Sequence, residues 1–146
     1  MRSRNAVKTL ASLAFFALAL LAVPAARANG CSAATLSGTY ADQDNGTIIG
    51  VGPFAGVNLD TFDGHGRMTS KGVSSVNGTV SPGSAAGTYQ VNPDCTGTYS
   101  VHDAHGDTFD AFFVIADGGN ELRIVITDAG TVINCVARKQ FPDRRD

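Results

Sequence analysis

The stretch Asp110–Ile126, DAFFVIADGGNELRIVI, decides the fold. Two runs of β-branched and aromatic residues flank Gly118-Gly119, a pair of glycines that a tight hairpin turn accepts. Pairing Asp117 with Asn120 sets Ile115 opposite Leu122, Phe113 opposite Ile124 and Ala111 opposite Ile126. One face of this hairpin is wholly apolar and must meet a core. The other carries Asp110, Phe112, Val114, Arg123 and Val125, a half-apolar outer face consistent with self-association.

Working outward, the chain after Cys31 repeats this pattern and shows no ten residues of helical periodicity. Strands are expected at 36–42, 54–62, 67–79, 85–91, 95–103, 108–116, 121–127 and 131–138. Between them lie turn signals: Asp63-Gly64-His65-Gly66, Ser81-Pro82-Gly83, Asn92-Pro93-Asp94, His105-Gly106 and Ala129-Gly130. Short connections pair sequence neighbours antiparallel. The expected fold class is therefore all-β, an eight-stranded antiparallel up-and-down barrel whose closure removes exposed edges. Gly38-Thr39-Tyr40, Gly87-Thr88-Tyr89 and Gly97-Thr98-Tyr99 are an internal echo. If Asn92-Pro93-Asp94 is a three-residue loop, Val91 pairs with Cys95, Tyr89 covers Gly97 and Tyr99 covers Gly87.

Four motifs carry a resemblance: Phe62-Asp63-Gly64-x-Gly66, Val76-Asn77-Gly78-Thr79-Val80, Gly87-Thr88-Tyr89-x-Val91-Asn92-Pro93-Asp94-Cys95 and Phe113-Val114-Ile115-x-Asp117-Gly118-Gly119. Through them most of residues 31–138 resembles small exported bacterial proteins. These in turn are similar to the allene oxide cyclase and dirigent type of lipocalin-like, or calycin, barrel. The shared motifs make turns and packing, so the resemblance implies the fold and transfers no catalytic residue.

The first 28 residues read as a cleavable secretory signal. Arg2, Arg4 and Lys8 precede the apolar run Leu10 to Val23, Pro24 breaks it, and Ala26-Arg27-Ala28 supplies the cleavage pattern. The run is shorter than the roughly 20 residues that span a bilayer, so no membrane-spanning segment is expected. Residues 29–140 then form one barrel domain and 141–146 a short charged tail, with the mature chain secreted or periplasmic. Ala28-Asn29-Gly30 before Cys31 is a poor lipid-attachment signal. Of 11 Lys and Arg against 13 Asp and Glu, four cations (Arg2, Arg4, Lys8, Arg27) leave with the signal. Another four (Arg138, Lys139, Arg144, Arg145) crowd the C-terminus. The acidic body that remains would repel a phosphate backbone, which excludes nucleic acid as a partner.

Three cysteines in an exported chain favour one disulfide and leave one thiol. An up-and-down meander alternates its turns between two rims. Cys31 and Cys95 fall on the rim holding the turns after strands 2, 4 and 6, and are expected to pair. Cys135 lies within strand 8 on the inward Ile133/Ala137 face. The opposite, first rim is expected to gather Asp42, Asp44, His102, Asp103, His105, Asp107 and Asp128. Within it His102 and His105 are weak candidates for a divalent metal. A His-x-x-His pair in a turn lacks the fixed face of a helix, so a plain solvated turn is the ordinary reading. Asp63-Gly64-His65-Gly66 is likewise a turn, lacking the further ligands of a calcium loop. Asp60 and Asp110 are carboxylates within strands, hence candidates for acid or base; the pairing puts Asp110 outside and Asp60 beside Asn58. The apolar segment Thr47–Phe54 is either the opening of strand 2 or a lid over the first rim.

No Gly-x-Ser-x-Gly, phosphate loop or nucleophile–base pair is present, which leans away from an enzyme without deciding it, and no cofactor is expected. The leading functional expectation is an exported barrel holding a small hydrophobic molecule in a lumen lined by Phe113, Ile115, Leu122, Ile124 and Ile126. Two readings stay open beside it: a periplasmic protein-binding or inhibitor module working through rim loops, and a cyclase or isomerase with an apolar pocket.

Overall fold

The Gly118-Gly119 hairpin forms with the expected register: Ile115 opposite Leu122, Phe113 opposite Ile124, Ala111 opposite Ile126. Its turn is a single 3₁₀ turn, Asp117–Gly119, with Asp117 and both glycines at positive φ. The structure, a computed structural model, describes residues 30–141. The signal segment 1–28, its cleavage point before Asn29, and residues 142–146 of the tail lie outside the described residues.

Eight strands follow in order: β1 (Ser37–Ile48), β2 (Gly52–Asp63), β3 (Arg67–Val76), β4 (Thr79–Val91), β5 (Thr96–Asp103), β6 (Thr108–Ala116), β7 (Glu121–Ile126) and β8 (Thr131–Lys139). Each pairs antiparallel with its sequence neighbours, and β1 pairs with β8 to close the barrel. Closure gives every strand a neighbour on both sides, although the first residues of β4, 79–84, ladder to β3 alone.

Three expectations about strand limits change. β1 does not stop at Asp42 but runs through Asp44, Asn45 and Gly46 to Ile48. These residues have poor β-propensity, yet this part of β1 is laddered to β2 on one side and β8 on the other, which overrides it. The segment read from sequence as strand up to residue 79 turns instead at Asn77-Gly78, with φ of 47° and 85°. Both values suit a two-residue turn whose twist matches that of its strands. Ser81-Pro82-Gly83 consequently lies inside β4, where Pro82 pairs with Val73.

The β4–β5 register also differs. Tyr89 pairs with Tyr99, Gly87 with Val101 and Val91 with Gly97. The turn is longer than three residues because Cys95 takes φ 67° and is tied to Cys31, while its carbonyl accepts from Ile115 N–H at 2.8 Å. An aromatic ring does cover Gly97, but it is Phe113: a Cβ on Gly97 would meet that ring at 2.3 Å.

The second rim is closed. The Cys31–Cys95 disulfide joins the N-terminal segment to the β4–β5 turn, and Cys31 N–H donates to Pro93 O at 3.1 Å. The 3₁₀ turn Ala33–Thr35 follows, then Leu36, which is fully buried. Tyr89 Oη lies 3.0 Å from the carbonyls of both Ala33 and Leu36, and Tyr40 Oη donates to Gly119 O. Below them Phe62 packs edge-on against Tyr40 and Tyr89, with centroids 5.3 and 5.1 Å away. Half the lumen is thus solid core.

Candidate functional site in the barrel lumen

Beyond that aromatic layer the lumen opens toward the first rim into a cavity of about 260 Å³. Its walls are mostly apolar and come from all round the barrel (Ile48, Phe54, Met68, Tyr99, Val101, Phe109, Ile126 and Ile133), with Ser70, Ser74, Ser84, Asp103 and Thr131 among them. A separate outer depression of about 560 Å³ crosses β2–β5, lined largely by threonine, serine, alanine and Lys71. It is shallow and open, so the enclosed lumen is the better candidate.

The cavity floor is acidic. Inward positions on β1 alternate Tyr40, Asp42, Asp44, so the extension of β1 that the sequence reading missed carries two carboxylates into the barrel. β2 adds Asn58 and Asp60. Asp42, Asp44 and Asp60 are all buried, correcting the expectation that Asp42 and Asp44 decorate the first rim. Gly56 makes room: a Cβ there would sit 2.8 Å from Asp44 Oδ2. Asn58 Nδ2 donates to that same oxygen at 2.6 Å. Among the described residues no lysine, arginine or histidine lines the cavity.

Burial, reinforced by the neighbouring carboxylates of Asp44 and Asp60, pushes Asp42 up to about 9. Burial raises Asp60 to about 6, against a hydrogen bond from Ser70 that pulls the other way. Tyr99 lines the cavity from β5 and Cys135 is buried on β8 opposite Asp44, and burial raises both the phenol and the thiol. Near neutral pH the floor therefore holds a neutral carboxylic acid beside acceptor oxygens, a set able to donate, accept or shuttle a proton or to bind a cation.

The sequence-derived lumen residues distribute unevenly. Phe113, Ile115, Leu122 and Ile124 are buried, but none lines the cavity; Ile126 alone of the five does. Cys135 is inward and free, as its position between Ile133 and Ala137 required. Asp110 is exposed on the outer face and Asp60 points inward. His102 is exposed, with Nδ1 2.9 Å from Thr108 Oγ1. His105 and Asp107 donate their backbone N–H groups to Asp103 Oδ1 at 2.8 and 2.9 Å, a self-contained turn. Asp63 organises the His65 turn the same way. Thr47–Phe54 is a hairpin tip, not a separate lid: Ile48 ends β1, Gly52 starts β2, and Ile49 and Val51 are exposed.

No protein-family model matches the chain, and no curated protein matches it. Among solved structures it is similar to a de novo designed fluorescence-activating β-barrel. The TM-score is 0.52 at 11% identity, covering 74% of this chain and 96% of the other. It is also similar to a redesigned β-barrel, at TM-score 0.53 and 14% identity, covering 75% of this chain and 95% of that one. At such identities the likeness speaks to the fold alone: an eight-stranded antiparallel β-barrel.

Proposed function

We propose that this protein is exported and binds one small, largely apolar molecule in the half-open lumen, with the first rim as the mouth. The observation that carries the reading is the division of the lumen: a packed, disulfide-closed end and a cavity of about 260 Å³ with aliphatic and aromatic walls at the other. Eight-stranded barrels either fill with side chains or hold one small ligand, and here both happen in one molecule. The volume lies just below the roughly 300–1,000 Å³ of ordinary ligand pockets, so the occupant is small. The disulfide supports the exported setting, where such bonds persist. The designed neighbour of this architecture is a fluorescence-activating β-barrel, which is support by analogy only.

A fluorescent apolar probe that brightens on burial tests the reading. Saturable binding to the mature protein, lost when Ile126→Trp fills the cavity, is the expected result. A probe that binds equally well to both proteins would place it on the outer surface.

The buried acids favour one second reading, a cyclase or isomerase of the kind the sequence resembles, in which a neutral lumen carboxylic acid protonates a bound apolar chain. Turnover of such a substrate that disappears in Asp42→Asn would move this reading to first place.

A further inference from the structure

An apolar ligand leaves one part of the lumen unexplained. Asp42 and Asp44 stand two apart on β1, so both point inward, and Cys135 on β8 is directly opposite Asp44. One ligating atom from each of the three lies within 4.8 Å of the others. Asp42 is only 6% exposed and lines the cavity, yet its Oδ1 has no hydrogen-bond partner. Orphaned buried acceptors are rare because each forfeits the water it left, at a cost of about 1–3 kcal/mol. Asp44 is held in place by Asn58, the outer support that metal-binding carboxylates ordinarily have. No cation of the chain's own lines the cavity to balance these acids among the described residues. One divalent ion would answer the orphaned oxygen and engage all three donors together.

We propose that Asp42, Asp44 and Cys135 are the protein ligands of a zinc-class divalent metal ion, with its remaining position open to the cavity. The donor set chooses the class. Carboxylates alone would suit calcium or magnesium, but calcium takes six to eight oxygens and a thiolate suits neither. Two carboxylate oxygens and a thiolate from a fixed β framework match zinc, cobalt(II) or cadmium. Three protein ligands with a fourth position free is the arrangement of reactive zinc centres and not of closed structural ones. On binding, the Cys135 thiol proton and the proton held between the two carboxyls leave to water; nothing is oxidised or reduced. The inference stands whether or not an organic molecule also occupies the cavity.

The test uses mature, disulfide-intact protein without a histidine tag, stripped with a chelator and titrated with cobalt(II) alone. The expected result is one equivalent bound, with a near-ultraviolet thiolate-to-cobalt charge-transfer band that zinc abolishes by displacement. Cys135→Ser should lose that band. Asp42→Asn should weaken binding at least about tenfold, the scale on which coordination-shell changes act. His102→Ala/His105→Ala should change neither. Far-ultraviolet circular dichroism confirms folding, and Asp44→Asn serves in place of any variant that does not fold. Wild type that takes up no cobalt, a band that survives Cys135→Ser, or binding that depends on the two rim histidines would overturn the proposal.

Discussion

Asp44 and Cys135 face each other across the β1–β8 ladder inside the barrel, a carboxylate directly opposite a buried thiol. Burial, and after it the Asp44 charge, disfavours the thiolate. The metal-free native protein should accordingly resist thiol alkylation at Cys135, whereas denaturant should expose one reactive thiol. Intact mass after alkylation under both conditions reads this; rapid native labelling would show that Cys135 is not where the barrel places it.

Two tryptophan substitutions locate the cavity. Ile126 lines it, so Ile126→Trp should fill space at little cost in stability. Ile124 is 3% exposed among packed side chains, so Ile124→Trp should overpack the core and cost about 1–3 kcal/mol. Chemical denaturation midpoints compare them. Equal effects would mean that the lumen is not divided as described.

That contrast shows what could be read from the sequence. The β6–β7 hairpin was legible in register because an unbroken apolar face tolerates no slip. Cys31–Cys95 followed from counting turns to one rim. The acidic floor was not legible, because Asp42-Gln43-Asp44-Asn45-Gly46 has the composition of a turn. Only the closing ladders to β2 and β8 make it strand, and closure is not a local property. The signal that pointed there was the alternation Tyr40, Asp42, Asp44 continuing into Ile48. The β4–β5 register was missed for a similar reason: the disulfide and the left-handed Cys95 lengthen that turn, and neither is encoded in the strands it joins.

Stability of the chelator-treated protein should fall as pH rises from about 5 to 9. Asp60 and Asp42 are raised to about 6 and about 9, above the roughly 3.9 of an unfolded aspartate. The native state therefore holds protons that the unfolded chain has released, and this stabilisation is lost as pH climbs through the native values. Asp63, Asp94, Asp103 and Glu121 are lowered instead, and act only at more acid pH. Asp60→Asn should flatten the slope and raise stability at pH 8 by on the order of 2 kcal/mol. Denaturation midpoints measured across that range check the sign; a rise with pH would refute it.

Reducing the Cys31–Cys95 bond removes a cross-link between residues 64 apart. Chain entropy for such a loop gives about 4 kcal/mol, so a reductant should lower Tm markedly and loosen the second rim first. Hydrogen exchange should accelerate at Leu36 and Tyr89 before it does at Ile133. Loss of protection beginning at the first rim would mean that the disulfide is not what closes the second rim.

The most direct test of a divided, ligand-holding lumen is methyl nuclear magnetic resonance of the mature protein titrated with a small apolar probe. Ile126 and Ile133 line the cavity, Leu122 and Ile115 belong to the packed half, and Val125 is 53% exposed outside. The account predicts saturable shifts at Ile126 and Ile133 with Leu122, Ile115 and Val125 unmoved. Shifts confined to Val125 and its outer-face neighbours, or none at saturating probe, would contradict it.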